Sequence, residues 1–200
     1  MLMRVVAVLF ALLVGLPGSA LAQSDPRAVI QTFSDQLIAV MKQGPQLGFK
    51  GREERLRPAV AAAYDMMAMT KGTLGLAANK LSPDETIQLA DAYTRFSVAT
   101  YADQFDTWNG ERFEVGEVRP AANGLMLVPS KIITASGAPT AIDYLMHKDG
   151  DSWKIVDVLF DGTISQVAVR RSEFVPVFRR EGLSGLIALL DNKAGALGTK

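Results

Sequence analysis

The 200-residue chain has no cysteine and a single histidine, His147. The first absence excludes disulfides, thiol catalysis and cysteine-ligated zinc or iron–sulfur centres, and the second excludes a multi-histidine metal site. An excess of charge is lacking too: 21 Lys and Arg stand against 21 Asp and Glu, which offers nucleic acid no electrostatic footprint. Beyond the N-terminus no apolar run reaches the ~18 residues that suggest a membrane-crossing helix. There is no Gly-rich phosphate loop, Ser-His-Asp set, metal-carboxylate cluster, internal repeat or low-complexity linker. Neither a metal nor another cofactor is expected. At 48% apolar and 21% charged, the composition is that of a globular domain with a sizeable core.

The N-terminus reads as an export signal. Arg4 supplies a positive start, Val5 to Leu16 form a short apolar stretch, and Ala20-Leu21-Ala22 places small residues where a signal peptidase cuts. Those 12 residues span about 18 Å as a helix, short of a ~30 Å hydrocarbon core. Residues 1–22 are therefore expected to be cleaved before Gln23, leaving residues 23–200 as a single domain that is soluble in the periplasm. No Cys follows the apolar stretch, so the new N-terminus cannot be lipidated. Loss of Arg4 leaves 20 basic and 21 acidic residues, too nearly balanced for strong attraction to an anionic membrane.

Periodicity divides the remainder into helices, then strands, then helices. Asp25 and Pro26 start a helix whose Val29, Ile30, Phe33, Leu37, Ile38 and Met41 recur at helical spacing until Gly44-Pro45. Short helices with a break near Pro58 are expected next. Ser82-Pro83-Asp84-Glu85 is a capping box, and Leu89, Ala92, Tyr93, Phe96 and Ala99 make one stripe, widened by Ser97, Tyr101 and Phe105. After Gly110 the period falls to two: Phe113 to Val118, Leu125 to Thr134 with an irregularity at Pro129, Thr140 to Lys148, and Trp153 to Phe160. Asn123-Gly124 is a hairpin signal, and the short turns imply a four-stranded antiparallel meander. Because Pro176 would sit deep inside a helix begun at Thr163, the β-branched Thr163 to Val169 is expected to continue as a strand past a bulge at Gly162. A helix from Ser172 to Gly182 and a short one over Ser184 to Leu190 follow. The fold class is α+β.

Several segments together carry a resemblance. Tyr64-Asp65, Leu74-Gly75, Ser82-Pro83 with Phe96 and Tyr101, Trp153-Lys154-Ile155-Val156-Asp157-Val158, Gly162-Thr163-Ile164-Ser165, Arg171-Ser172-Glu173-Phe174 and Gly182-Leu183-Ser184-Gly185-Leu186-Ile187 occur in the order and spacing of the MlaC / toluene-tolerance family. The likeness extends over nearly the whole mature chain. Asp161 to Ser165 and Arg170-Arg171 are most similar to the hopanoid-biosynthesis-associated branch, HpnM. The chain departs from the usual family pattern at Ile164, normally Val, and at Arg170, normally Tyr.

That resemblance implies a periplasmic carrier, not an enzyme, on a nuclear-transport-factor-like cone whose curved sheet surrounds an apolar cavity. It implies a phospholipid or hopanoid ligand, inner-membrane and outer-membrane lipid-transport complexes as partners, a role in outer-membrane lipid asymmetry, and a monomer. Met66, Met69, Ala92, Tyr93, Phe96, Val128, Ile133, Tyr144, Met146 and Val158 are the expected lipid-binding residues, with Arg170 and Arg171 at a headgroup or partner. Trp153, Asp157, Gly162 and Ser165 form the structural motif. On this expectation Trp at Ala92 or Val128 would enter existing space at little loss of stability.

The residues themselves leave alternatives open. The apolar set could be an ordinary packed core, making the chain an interaction module without ligand. Asp157, a carboxylate in an apolar strand, needs a partner; it could serve an enzyme on the same scaffold as general base or be held structurally. His147, near the Asp149-Gly150 turn, is expected to be solvated, and Arg170 and Arg171 could equally pair with Glu173.

Overall fold

Proline at the first helical position loses no hydrogen bond, and a carboxylate one residue earlier can take up a free backbone donor. Asp25 and Pro26 are so arranged at the start of α1 (Pro26–Lys42), with Asp25 accepting from the Arg27 amide. The computed structural model describes residues 25–198, so the expected leader, residues 1–22, and the cleavage point at Gln23 lie outside the described residues. Helix α2 (Gly44–Ala63) follows almost at once. Its break is at Gly48, where φ is 59°, and not at Pro58. Pro58 is exposed, and burial of Leu56, Val60 and Ala63 on the inner face holds the helix together around it.

Asp65 caps α3 (Met66–Leu74) by accepting from the Ala68 amide, and a 3₁₀ turn over Gly75–Lys80 leads to α4 (Pro83–Gln104). The capping box at Ser82 and Glu85 forms in full. Gly44 is required where α2 begins beside the end of α4, since a Cβ there would lie 1.7 Å from the Asp106 carbonyl oxygen.

The expected meander is present, but its first two strands are each interrupted. β1 (Arg112–Val115) and β2 (Arg119–Pro120) pair with β4 (Ser130–Ile133) and β3 (Met126–Val128), respectively; both partners pair with β5 (Pro139–Asp149). The Asn123-Gly124 hairpin is built with both residues at positive φ, inside a turn longer than two residues. Pro129 has no N–H to donate, and pairing lapses there. Asp143 compensates by accepting from the Ser130 amide at 3.2 Å, while the Ser130 hydroxyl donates to the Ile142 carbonyl at 2.5 Å. β5 pairs along its other edge with β6 (Ser152–Phe160), which in turn pairs with β7 (Ile164–Ser165).

The largest correction follows β7. Strand structure ends at Ser165, which caps α5 (Gln166–Ala196) by accepting from the Ala168 amide, so neither the strand to Val169 nor a helix start at Ser172 occurs. Pro176 lies within α5, a position that costs about 3 kcal/mol in a helix interior. Its exposure, the cap at Ser165 and the burial of Val167 and Phe174 on the opposite face favour the longer helix. Gly182, at φ 69°, then redirects the chain, so Gly182 does break the helix as expected. Among the described residues no helix is long and apolar enough to cross a membrane. The architecture is α+β, with helices packed around an antiparallel sheet.

Candidate functional site

Helical and strand periodicities converge on one apolar cavity of about 160 Å³. From α3, Met66 and Met69 reach it at a spacing of three; from α4, Tyr93, Phe96, Ser97, Thr100, Tyr101 and Gln104 supply one helical face. Ile142 and Tyr144 of β5, and Val158 and Phe160 of β6, supply the period-two face of the sheet. The first turns of α5 add Gln166 and Arg170, and Val60 and Phe105 complete the wall with Tyr64. Most of this lining is apolar, and the two methionines give it adaptable shape.

All four tyrosines of the chain face this space. The Tyr64 and Tyr101 hydroxyls bond to each other. Phe33 of α1 braces both rings edge-on, at centroid distances of 5.5 and 5.3 Å. Burial raises all four phenols: Tyr101 is pushed up to about 12, and Tyr64, Tyr93 and Tyr144 are also raised. Desolvation disfavours the phenolate, so these groups remain neutral donors at ordinary pH.

Of the expected lipid-binding residues, Met66, Met69, Tyr93, Phe96, Tyr144 and Val158 are on the wall. Ala92, Val128, Ile133 and Met146 are not; they are buried in packed parts of the molecule. Val128 faces Tyr144 across the β3–β5 ladder, and Met146 is paired with Met126 and Ile155. The placement of Ala92 and Val128 removes the space into which Trp was expected to grow. The wall positions Val60, Tyr64, Ser97, Thr100, Tyr101, Gln104, Phe105, Ile142, Phe160 and Gln166 lie outside the expected set; the widened α4 stripe is the sequence signal for Ser97, Tyr101 and Phe105.

The two arginines separate. Arg170 reaches the cavity, lies 4.8 Å over the Phe96 ring and bonds Glu173 at 3.1 Å. Arg171 points elsewhere and donates twice to the Gly72 carbonyl near the end of α3, at 3.1 and 2.7 Å, which suits a cation at a helix C-terminus. Burial opposes ionisation of Glu173, but hydrogen bonds from Lys193 and Arg170 outweigh it and hold the carboxyl below its ordinary range.

Asp157 has its demand for partners met at the start of α5. Oδ1 accepts from the Val158 and Val167 amides at 2.8 and 3.0 Å, and Oδ2 from the Ser165 hydroxyl at 2.5 Å. A carboxylate at a helix N-terminus is favoured by the free amides and the dipole there. Asp157 is off the cavity wall, so this geometry makes it a clasp between β6 and α5, not a base facing a ligand. Gly162, at φ 70°, turns the chain between β6 and β7, and Trp153 packs half-buried against the core. His147 is not simply solvated: its Nε2 is 2.9 Å from Asp65 Oδ2, linking β5 to the cap of α3.

A family model described as MlaC protein matches residues 31–192. The fold is similar to a solved phospholipid-binding protein from Ralstonia solanacearum, itself in complex with a phospholipid, with 23% identity and a TM-score of 0.75. The likeness covers 88% of this chain and 100% of that one and establishes a shared fold. No curated relative matches the chain. Because the family model spans most of the chain, from the middle of α1 to the second half of α5, the chain belongs to the MlaC family.

Proposed function

We propose that the mature chain, from Gln23 onward, is a periplasmic lipid carrier that passes a phospholipid between inner-membrane and outer-membrane complexes, without covalent chemistry. The observation that carries this reading is the apolar cavity between α3, α4, α5 and the sheet, in a chain of the MlaC family. The phospholipid bound by the similar Ralstonia protein supports a lipid as the occupant. Burial supplies the driving force: at about 0.8 kcal/mol per CH₂, a 16-carbon chain represents on the order of 12 kcal/mol of apolar transfer. A soluble carrier must match much of that to extract a lipid from a membrane.

The cavity of about 160 Å³ is smaller than the roughly 300–1,000 Å³ of drug-sized ligand pockets. Loading a lipid therefore requires the walls to part. The methionines of α3 are suited to this, because an unbranched thioether side chain repacks with little strain. Their helix is attached to the sheet by the Asp65–His147 pair and the Tyr64–Ile155 bridge.

Native mass spectrometry of protein purified from the periplasm, followed by lipid extraction, tests the proposal. A bound phospholipid supports it; a co-purified hopanoid would redirect the ligand assignment to the HpnM-like branch. Protein that is ligand-free on purification and also takes up no lipid from vesicles would overturn it.

A further inference from the structure

Glu173 and Lys193 are twenty positions apart on α5, about 30 Å along an uninterrupted helix, yet they form an ion pair. The reversal at Gly182 makes this possible by returning the second half of α5 toward the first. Its consequence is local. Lys193 joins Arg170 beside the Phe96 ring, the ammonium at 5.9 Å and the guanidinium at 4.8 Å from it. Phe96 and Arg170 both line the cavity, and Lys193, which is not on its wall, stands behind them against the same ring.

Among the described residues Glu173 is the carboxylate that bonds these two cations. Asp191 is bonded to Arg95 at 2.7 Å, and the Asp157 oxygens accept from the Val158 amide of β6 and from the Ser165 hydroxyl and Val167 amide at the start of α5, not from either cation. Glu173 bonds both Arg170 and Lys193, leaving two cations against one carboxylate. The Arg170, Glu173 and Lys193 side chains are only 23%, 29% and 36% exposed, so solvent screens the remaining positive charge incompletely. An oxyanion bearing several acceptors would complete the group, since guanidinium and ammonium together match phosphate.

We propose that Arg170 and Lys193 bind the phosphate of an anionic lipid headgroup at the edge of the cavity, with Glu173 holding the two cations together and occupying part of the anion position before lipid arrives. This deepens the carrier reading and rests on it. The shared chemistry is a phosphate oxyanion, whether on a lipid or free in solution.

The test compares phosphatidylglycerol, diacylglycerol with the same acyl chains, and inorganic phosphate, using the folded full-length mature protein and its R170Q, R170K, K193Q and E173Q variants. The parent is expected to prefer phosphatidylglycerol to diacylglycerol by about tenfold or more, the scale of one charge-assisted hydrogen bond. That ratio should fall about tenfold in Arg170→Gln or Lys193→Gln, be largely retained in Arg170→Lys, and rise in Glu173→Gln. Equal ratios in parent and variants, with both lipids bound, overturn the headgroup site and leave the carrier reading standing. A parent that binds neither lipid overturns the carrier reading itself. Inorganic phosphate bound as tightly as phosphatidylglycerol reassigns the site to the free anion and overturns the lipid headgroup. If Arg170→Gln does not fold, Lys193→Gln decides, because Lys193 is the more exposed side chain.

Discussion

Two parts of the interior use similar side chains to different ends. Around Ala92, Val128, Met146 and Ile155 the molecule is filled, each residue being fully buried away from the cavity. A few residues along the same elements, Tyr93, Phe96, Tyr144 and Val158 face open space. Hydrophobicity does not distinguish the two parts. Geometry does: the open part is framed by tyrosines, two of them joined through their hydroxyls and braced by Phe33. Stiff rings with polar ends are harder to collapse onto one another than aliphatic chains, so an aromatic frame is suited to keeping walls apart.

The largest expected effect on that contrast comes from alkaline pH. The folded-state pKa values of the four tyrosines are raised, so the folded protein retains phenolic protons that the unfolded chain releases. Stability from these groups is fully present below pH 10 and is lost as pH rises, through about 12 for Tyr101. Each affected tyrosine contributes a fall of about 1.4 kcal/mol per pH unit within its window. Tyrosinate absorbance should therefore appear together with unfolding. Ionisation of all four rings near pH 10 in a still-folded protein would contradict a desolvated frame.

Phe33→Ala should be next, at about 3–5 kcal/mol, because it removes a buried ring and the brace for Tyr64 and Tyr101. Denaturant unfolding measures the loss. If the frame props the cavity open, lipid retention should fall as well; a small stability change would show that the brace is dispensable.

Ala92→Trp places bulk in the filled part and should destabilise by about 1–3 kcal/mol. That is the opposite of the outcome expected of Ala92 as a cavity residue, the role that the family resemblance implies for it, and the difference marks where the sequence is legible. Repetition at 3.6 residues revealed α1 and α4, the Ser82 capping box marked where α4 begins, and period-two segments revealed the meander. The hollow was not legible because Ala92 and Tyr93 are adjacent in one apolar stripe, and only the splay between neighbouring elements decides which meets space. The start of α5 was obscured for a related reason. Pro176 argued locally for a later start, whereas Asp157, which supports the helix at Val167, is remote from Pro176 and acts through the fold. Arg171 posed the same difficulty: its adjacency to Arg170 suggested a shared task, but successive helical residues face different directions, and its guanidinium reaches Gly72.

The smallest expected change in stability belongs to Ser97→Trp, and it gives the sharpest comparison with Ala92→Trp. Ser97 is half-buried on the same helix, five positions further along, and lines the cavity. Ser and Trp have similar helix propensities, so the backbone has little reason to respond. The indole enters space already present and gains apolar contacts, which offset the loss of rotamer freedom; the net change should stay within about 0.5 kcal/mol. Lipid uptake should nevertheless fall sharply, since the added ring occupies volume an acyl chain would need. Paired denaturant midpoints and lipid-retention assays read both quantities on one preparation. A stable Ser97→Trp variant that keeps its lipid would place the acyl chain elsewhere, and one destabilised as much as Ala92→Trp would mean that this part of the interior is packed as well.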